Sequence, residues 1–446
     1  MSNDELPEGW QSCSLGDVVD YGKSQKAEPS EISAKSWILE LEDIEKDTSR
    51  LLSRVTFAER KSKSTKNRFE TGDVLYGKLR PYLNKILIAD QPGYCTTEII
   101  PLRGNVTLEN RYLFYWLKHP AFLDYVTAVS HGLNMPRLGT EAGKAAPFIL
   151  APLAEQKRIA DKLEAVLGRV DACRARLDRV PALLKRFRQS VLAAATSGGL
   201  TEEIDDPDQW ESHQFGNMFL TARTGLDRRS AAQGDDRAHP YLKMNNMTSD
   251  GRMLLNGVTR VDASEEEAEK YSLEDGDFLF NTRNSVELVG KTCVFKSKGL
   301  EEPFLFNNNI LRVRFKPDAL PDYVNMWFCS PKGRDELEKL KSATTSVAAI
   351  YQSRLNELQL SLPPRHIQQE IVRRVEDLFA FADRIEAHLG VAQKTVDRLS
   401  PSVLAKAFRG ELVPQDPADE PASSLLVRLR SQPLAKPAKA KRTKRK

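Results

Sequence analysis

Two short polar loops hold the residues best suited to chemistry. Lys78-Leu79-Arg80-Pro81-Tyr82-Leu83-Asn84-Lys85 follows one apolar run, and Asn281-Thr282-Arg283-Asn284-Ser285 follows another at the equivalent place in the second half of the chain. Arg, Lys and Asn side chains can pair with guanine or adenine edges in a major groove, while Tyr, Ser and Thr suit phosphates. The first half adds Lys61, Lys63, Lys66, Arg68 and Arg137, and the second adds Arg223, Arg228, Arg229, Gln352 and Arg354. For any single residue a solvated loop is an equal explanation; the duplicated position of the two loops is what favours nucleic-acid contact.

Catalytic constellations do not emerge. Val286-Glu287-Leu288-Val289-Gly290-Lys291-Thr292 resembles half a phosphate-binding loop, yet Ser285 stands where the first glycine belongs. His119, His131, His213, His239, His366 and His388 form no metal-binding pair. Neither a nucleophile elbow, a glycine-rich methyl-donor loop nor an Asn-Pro-Pro-Tyr/Phe target-base motif is present. The expectation is a chain with no catalysis, metal or cofactor of its own.

The elements that must position these loops are themselves repeated. Pro152 and Pro364, Asp171 and Asp383, and Gly198 and Gly410 are each 212 residues apart. Around them run two heptad stripes with 4,3 spacing: Ile159, Leu163, Val166, Val170, Cys173, Leu177, Val180, Leu184, Phe187 and Val191, then Ile371, Val375, Leu378, Ala382, Ile385, Leu389, Ala392, Val396, Leu399 and Val403. A 3.5-residue period sustained over about five heptads indicates a coiled-coil seam. Chain order places the second large segment after the first helix, so the pair is expected to run antiparallel. About 40 residues of helix make a rod of about 60 Å. Pro181 is expected to kink or break the first helix.

Upstream of each helix, short apolar runs such as Val74-Leu75-Tyr76, Ile86-Leu87-Ile88, Phe278-Leu279-Phe280 and Ile310-Leu311-Arg312-Val313 read as strands. Tyr112 to Val129 and Asp322 to Leu340 look helical. The fold class is therefore α+β: two mixed α/β domains, 1–150 and 205–361, joined by central helices, 151–200 and 362–413, in an antiparallel, pseudo-twofold internal repeat. A terminal segment, 414–446, completes the chain.

The formal net charge of +4 is misleading, because seven Lys or Arg between Lys436 and Lys446 leave the rest of the chain at −3. Nucleic-acid binding must rest on local patches. The basic tail reads as disordered. Five scattered cysteines suggest no disulfide framework, and no apolar run reaches membrane-spanning length. A cytoplasmic protein without membrane contact is expected.

Ala151-Pro152-Leu153-Ala154-Glu155-Gln156-Lys157-Arg158-Ile159 and Phe408-Arg409-Gly410-Glu411-Leu412-Val413-Pro414 resemble the central regions of specificity subunits of type I restriction-modification enzymes. Leu6-Pro7-Glu8-Gly9-Trp10 and Gly72-Asp73-Val74-Leu75 resemble parts of that family's target recognition domains. The second central copy departs from the pattern, reading Pro363-Pro364-Arg365-His366-Ile367-Gln368-Gln369. The resemblance implies that each large domain reads one half of a bipartite, asymmetric site in double-stranded DNA. It also implies two methyltransferase subunits, which bring S-adenosylmethionine, and motor-nuclease subunits. Matched to B-DNA, the rod length gives half-site centres about 10–12 bp apart. A coiled-coil scaffold without nucleic-acid function and a stand-alone DNA-binding protein are the alternatives.

Overall fold

The structure, a computed structural model, describes residues 6–105, 107–132, 134–343 and 347–431. The basic tail lies outside these residues. The chain divides into two compact units, Met1–Leu177 with Val391–Lys446, and Asp178–Gly390. Each unit thus combines one large domain with a part of both long helices.

In the first unit, a five-stranded sheet runs Lys26–Ala27, Lys66–Phe69, Gly93–Cys95, Trp37–Leu39, Val55–Thr56, and a three-stranded sheet runs Ile86–Ile88, Val74–Gly77, Ile99–Leu102. Gln11–Ser14 pairs with Pro147–Leu150, so the start and end of the domain are zipped together. The second unit has four-stranded sheets ordered Phe219–Thr224, Ile310–Phe315, Phe278–Asn281, Thr292–Val294 and Gln233–Gly234, Thr259–Val261, His239–Leu242, Leu305–Phe306. Glu211–Gln214 closes on Gln359–Leu362 in the same way. Among the described residues each unit has a parallel strand pair: Trp37–Leu39 with Gly93–Cys95, and His239–Leu242 with Leu305–Phe306. Both domains are mixed helix-and-sheet structures.

The helices expected over Tyr112–Val129 and Asp322–Leu340 are each split in two, as Asn110–Leu117 with Pro120–Val129 and Pro321–Cys329 with Pro331–Leu340. Proline causes both breaks: it disfavours helix for the residue before it and suits a new first turn. The same physics separates Leu153–Leu177 from Val180–Ser197, whose first turn holds Pro181. Pro401 lies inside the helix Arg365–Ala407 without ending it.

Within each unit the long helices run antiparallel. In the first, Arg174 meets Asp397, while Arg158, earlier on its helix, meets Asp419 in the segment that follows the end of Arg365–Ala407. In the second, Arg188 meets Asp383 while Arg374, earlier on its helix, meets Glu203 beyond the end of Val180–Ser197. Ile159, Leu163, Val170, Leu184, Ile371, Val375 and Leu389 are buried, and Val166, Leu177, Leu378, Ile385 and Val396 are half-buried. Two heptad positions are corrected: Cys173 and Leu399 are exposed. Leu167 is buried more deeply than its neighbour Val166, because an α-helix turns every 3.6 residues and drifts from a strict heptad.

The helix ends are anchored alike. Gly198 and Gly410 take left-handed backbone, and a Cβ there would lie 2.0 Å from Pro207 Cγ and 2.4 Å from Pro7 Cγ respectively. Glycine meets both demands, positive φ and close approach of a proline. Phe408, just past the second helix, packs its ring 5.0 Å from those of both Tyr112 and Trp116 in the first core.

Candidate nucleic-acid interface

Strand Val74–Gly77 delivers the first polar loop, and strand Phe278–Asn281 the second. Both strands are fully buried, so their loops start from a rigid base. Each loop is clamped by a distant segment ahead of a short helix. In the first unit Leu138 N–H donates to Lys78 O (3.0 Å) and Arg80 N–H to Pro136 O (2.7 Å). In the second, Ile350 N–H donates to Thr282 O (2.9 Å), and Arg283–Asn284 pairs with Ala348–Ala349.

These clamps collect several candidates. Arg80, Tyr82 and Arg137 are exposed on the first loop pair, where Arg137 is held 3.1 Å from Glu98. Arg283, Gln352 and Arg354 are exposed on the second, with Arg354 donating to the carbonyls of Leu340 and Lys339. Lys78 is half-buried.

Other candidates have structural work instead. Lys66 is 1% exposed, sits in a strand and donates to Ser64 Oγ. Asn281 is fully buried; its Nδ2 donates to the Arg283 and Asn309 carbonyls and its Oδ1 accepts from Asn284. Burial therefore removes Lys66 and Asn281 from any direct contact. Asn84 is also buried, Lys85 Nζ is tied 2.6 Å from Leu41 O, and Thr282 Oγ1 donates to Asn309 O. Lys61, Lys63 and Arg68 are exposed but belong to the five-stranded sheet and its approach, not to the clamped loops. Arg223 donates to Lys270 O, and Arg228 is paired with Glu267.

At the start of each strand, at the end away from the loop, lies a carboxylate node. Asp73 caps Glu70 N–H and binds Arg103 through both oxygens; Asp277 caps Glu274 N–H and binds Arg314 the same way. Arg312 is buried beside Asp277, and its guanidinium is held below its ordinary pKa by burial and by Arg314. Among the described residues no cluster of His, Cys, Asp or Glu could hold a metal ion.

Sequence reasoning named Arg137, Gln352 and Arg354 on the clamping segments but missed their exposed neighbours Met135 and Tyr351. Signals were present in the exposed-type residues of Met135-Pro136-Arg137 and Ile350-Tyr351-Gln352. What was invisible is the long-range backbone pairing.

The model of the family described as type I restriction modification DNA specificity domain matches residues 7–181 and 207–390, one match per large domain with helix. The chain belongs to this family. Its role is DNA-sequence recognition. Relatives of this specificity-domain chain include the type I restriction enzyme EcoKI specificity subunit of Escherichia coli strain K12, 33% identical over 75% of this chain and 74% of that protein. The StySPI specificity subunit of Salmonella potsdam is 32% identical over 74% and 73%. Among solved structures, a chain from a study of assembly and conformational transition in the type I R-M system gives a TM-score of 0.70 at 20% identity, covering 91% of this chain and 99% of that one. The HsdS subunit from Thermoanaerobacter tengcongensis gives 0.59 at 21%, covering 91% and 98%. These two support the shared fold. No helix among the described residues is long and apolar enough to cross a membrane.

Proposed function

We propose that the chain is the non-catalytic, DNA-reading subunit of a cytoplasmic type I restriction-modification complex, each unit reading one half of a bipartite, asymmetric site. The observation that carries this is the duplicated clamped loop: both units present exposed arginines from a buried strand through the same backbone pairing, but with different residues around them. A shared scaffold with unlike side chains is what two different half-sites require.

In this reading the two heptad helices set the spacer and dock two methyltransferase subunits, which bring S-adenosylmethionine; motor-nuclease subunits join for restriction. Single-molecule mapping of methylated adenines in cells expressing the complex tests it. The expected result is a split site with unlike halves, and replacing residues 1–150 by those of a relative should change one half only. A continuous palindrome, or a change in both halves, overturns the reading.

A further inference from the structure

The loop of the first unit has unfavourable local features that its packing does not explain. Arg80 (φ 50°) and Asn84 (φ 49°) are both left-handed and flank the single turn Pro81–Leu83. Asn tolerates this region, but a long side chain such as Arg seldom occupies it. Asn84 is 8% exposed, and its Oδ1 is buried without a hydrogen-bond partner. Buried acceptors are normally paired, so the turn carries two penalties in five residues.

The surroundings nevertheless hold it firmly. Arg80 N–H donates to Pro136 O, Leu83 N–H to Arg80 O, and Asp47 N–H to Leu83 O, while Pro81 is buried. The side chain this arrangement holds out is Tyr82, 45% exposed. Lone exposed apolar groups are ordinary on protein surfaces; one displayed by a strained, pinned turn beside a cation is not. The second unit presents an exposed aromatic at the same joint from the other partner of the clamp: Tyr351 follows Ile350, whose N–H makes the clamping bond.

We propose that Tyr82 is a stacking wedge that enters DNA at one half-site and lies against an unstacked base, with the exposed guanidinium of Arg80 beside it. The proposal rests on the DNA-reading assignment above. A ring stacks on any base face, and nearby guanidinium groups offset the backbone charge. The hydroxyl plays no part in this contact, so phenylalanine should replace tyrosine.

The test uses the full-length chain, with and without a co-purified methyltransferase subunit, on duplexes carrying the mapped site with 2-aminopurine placed at each position in turn. The wild-type chain and Tyr82→Phe should raise fluorescence at one position in the half-site assigned to residues 1–150. Tyr82→Ala should lose that rise and weaken binding by about 5- to 150-fold. Tyr82→Ala that binds and unstacks like wild type, on a site the chain still reads, overturns the wedge alone. Tyr82→Phe behaving like Tyr82→Ala overturns stacking in favour of a hydroxyl contact. A chain that reads no bipartite duplex overturns both the wedge and the assignment beneath it.

Discussion

Gln156 and Gln368, 212 residues apart in sequence, make the same three hydrogen bonds in their respective units. Gln156 Oε1 accepts from Glu109 N–H while its Nε2 donates to the Thr107 and Ala151 carbonyls. Gln368 Oε1 accepts from Leu320 N–H while its Nε2 donates to the Asp318 and Pro363 carbonyls. Both side chains are fully buried, so each amide fastens the start of a long helix to the loop before a domain helix. The second central motif, although it departs from the first in sequence, keeps the residue that does this.

Replacing Gln368 with alanine leaves buried backbone groups unpaired and should destabilise the second unit by about 1–3 kcal/mol. Hydrogen exchange on the full chain should show lost protection around Asp318 to Leu320 and the start of Arg365–Ala407, with the segment around Thr107 to Glu109 unchanged. Gln156→Ala should give the reverse pattern.

The two carboxylate nodes differ in what their loss exposes. Asp73 serves Arg103, whose side chain is 58% exposed and can return to water. Asp277 serves Arg314 at 28% and faces Arg312 at 7%, 4.0 Å away. A buried charge that loses its partner is expensive, about 3–5 kcal/mol, whereas an exposed one is not. Asp277→Ala should therefore lower the denaturation midpoint much more than Asp73→Ala, in urea titrations followed unit by unit with tryptophan fluorescence and exchange.

The heptads were legible because apolar spacing on a helix is a local property, and Ile159, Leu163, Ile371 and Val375 are buried as the stripe requires. The prolines were legible for the same reason. Site residues were harder, since Lys66 and Arg68 differ by two positions in one strand, yet the first is buried and the second exposed. Asn281 looked like a base-reading side chain and instead ties Arg283, Asn284 and Asn309 together. Which polar residue turns inward depends on partners far away in sequence. The 212-residue offset carries Gln156 onto Gln368 as it carries Asp171 onto Asp383, so this pair lay open in the sequence.

His119 makes the first unit sensitive to acid. Its ring stacks on Trp116 with centroids 5.0 Å apart, lies 5.3 Å from Phe408, and accepts Ala121 N–H at Nδ1. Burial, with Arg409 adding repulsion and Asp124 opposing it, lowers its pKa to about 4. Because the folded value lies below the unfolded value of about 6.5, this contribution is complete above pH 6.5. It is lost as pH falls from about 6.5 to about 4, where the unfolded chain takes up the proton first. Between pH 7.5 and 5 the loss should be about 2 kcal/mol. His119→Asn keeps a capping side chain without the titration. The difference in thermal stability between wild type and variant should shrink or reverse over that interval; a difference independent of pH would contradict the assignment.

Arg80 and Arg283 give the sharpest test of separate reading by the two units. Both are exposed on clamped loops, and neither forms an ion pair among the described residues; Arg80 donates to the Asn134 carbonyl at 3.3 Å. A bidentate contact to guanine contributes about 1–3 kcal/mol of discrimination against the wrong base, whereas a phosphate contact weakens binding to all sequences alike. Arg80→Ala should relax or weaken reading in one half-site and Arg283→Ala in the other. Binding assays with each half-site substituted in turn, repeated across salt concentrations, separate the two kinds of contact. A phosphate contact lowers the salt slope by about one per arginine, and a base contact changes sequence preference with the slope nearly unchanged. If both variants altered the same half, the division of the site between the units would be wrong.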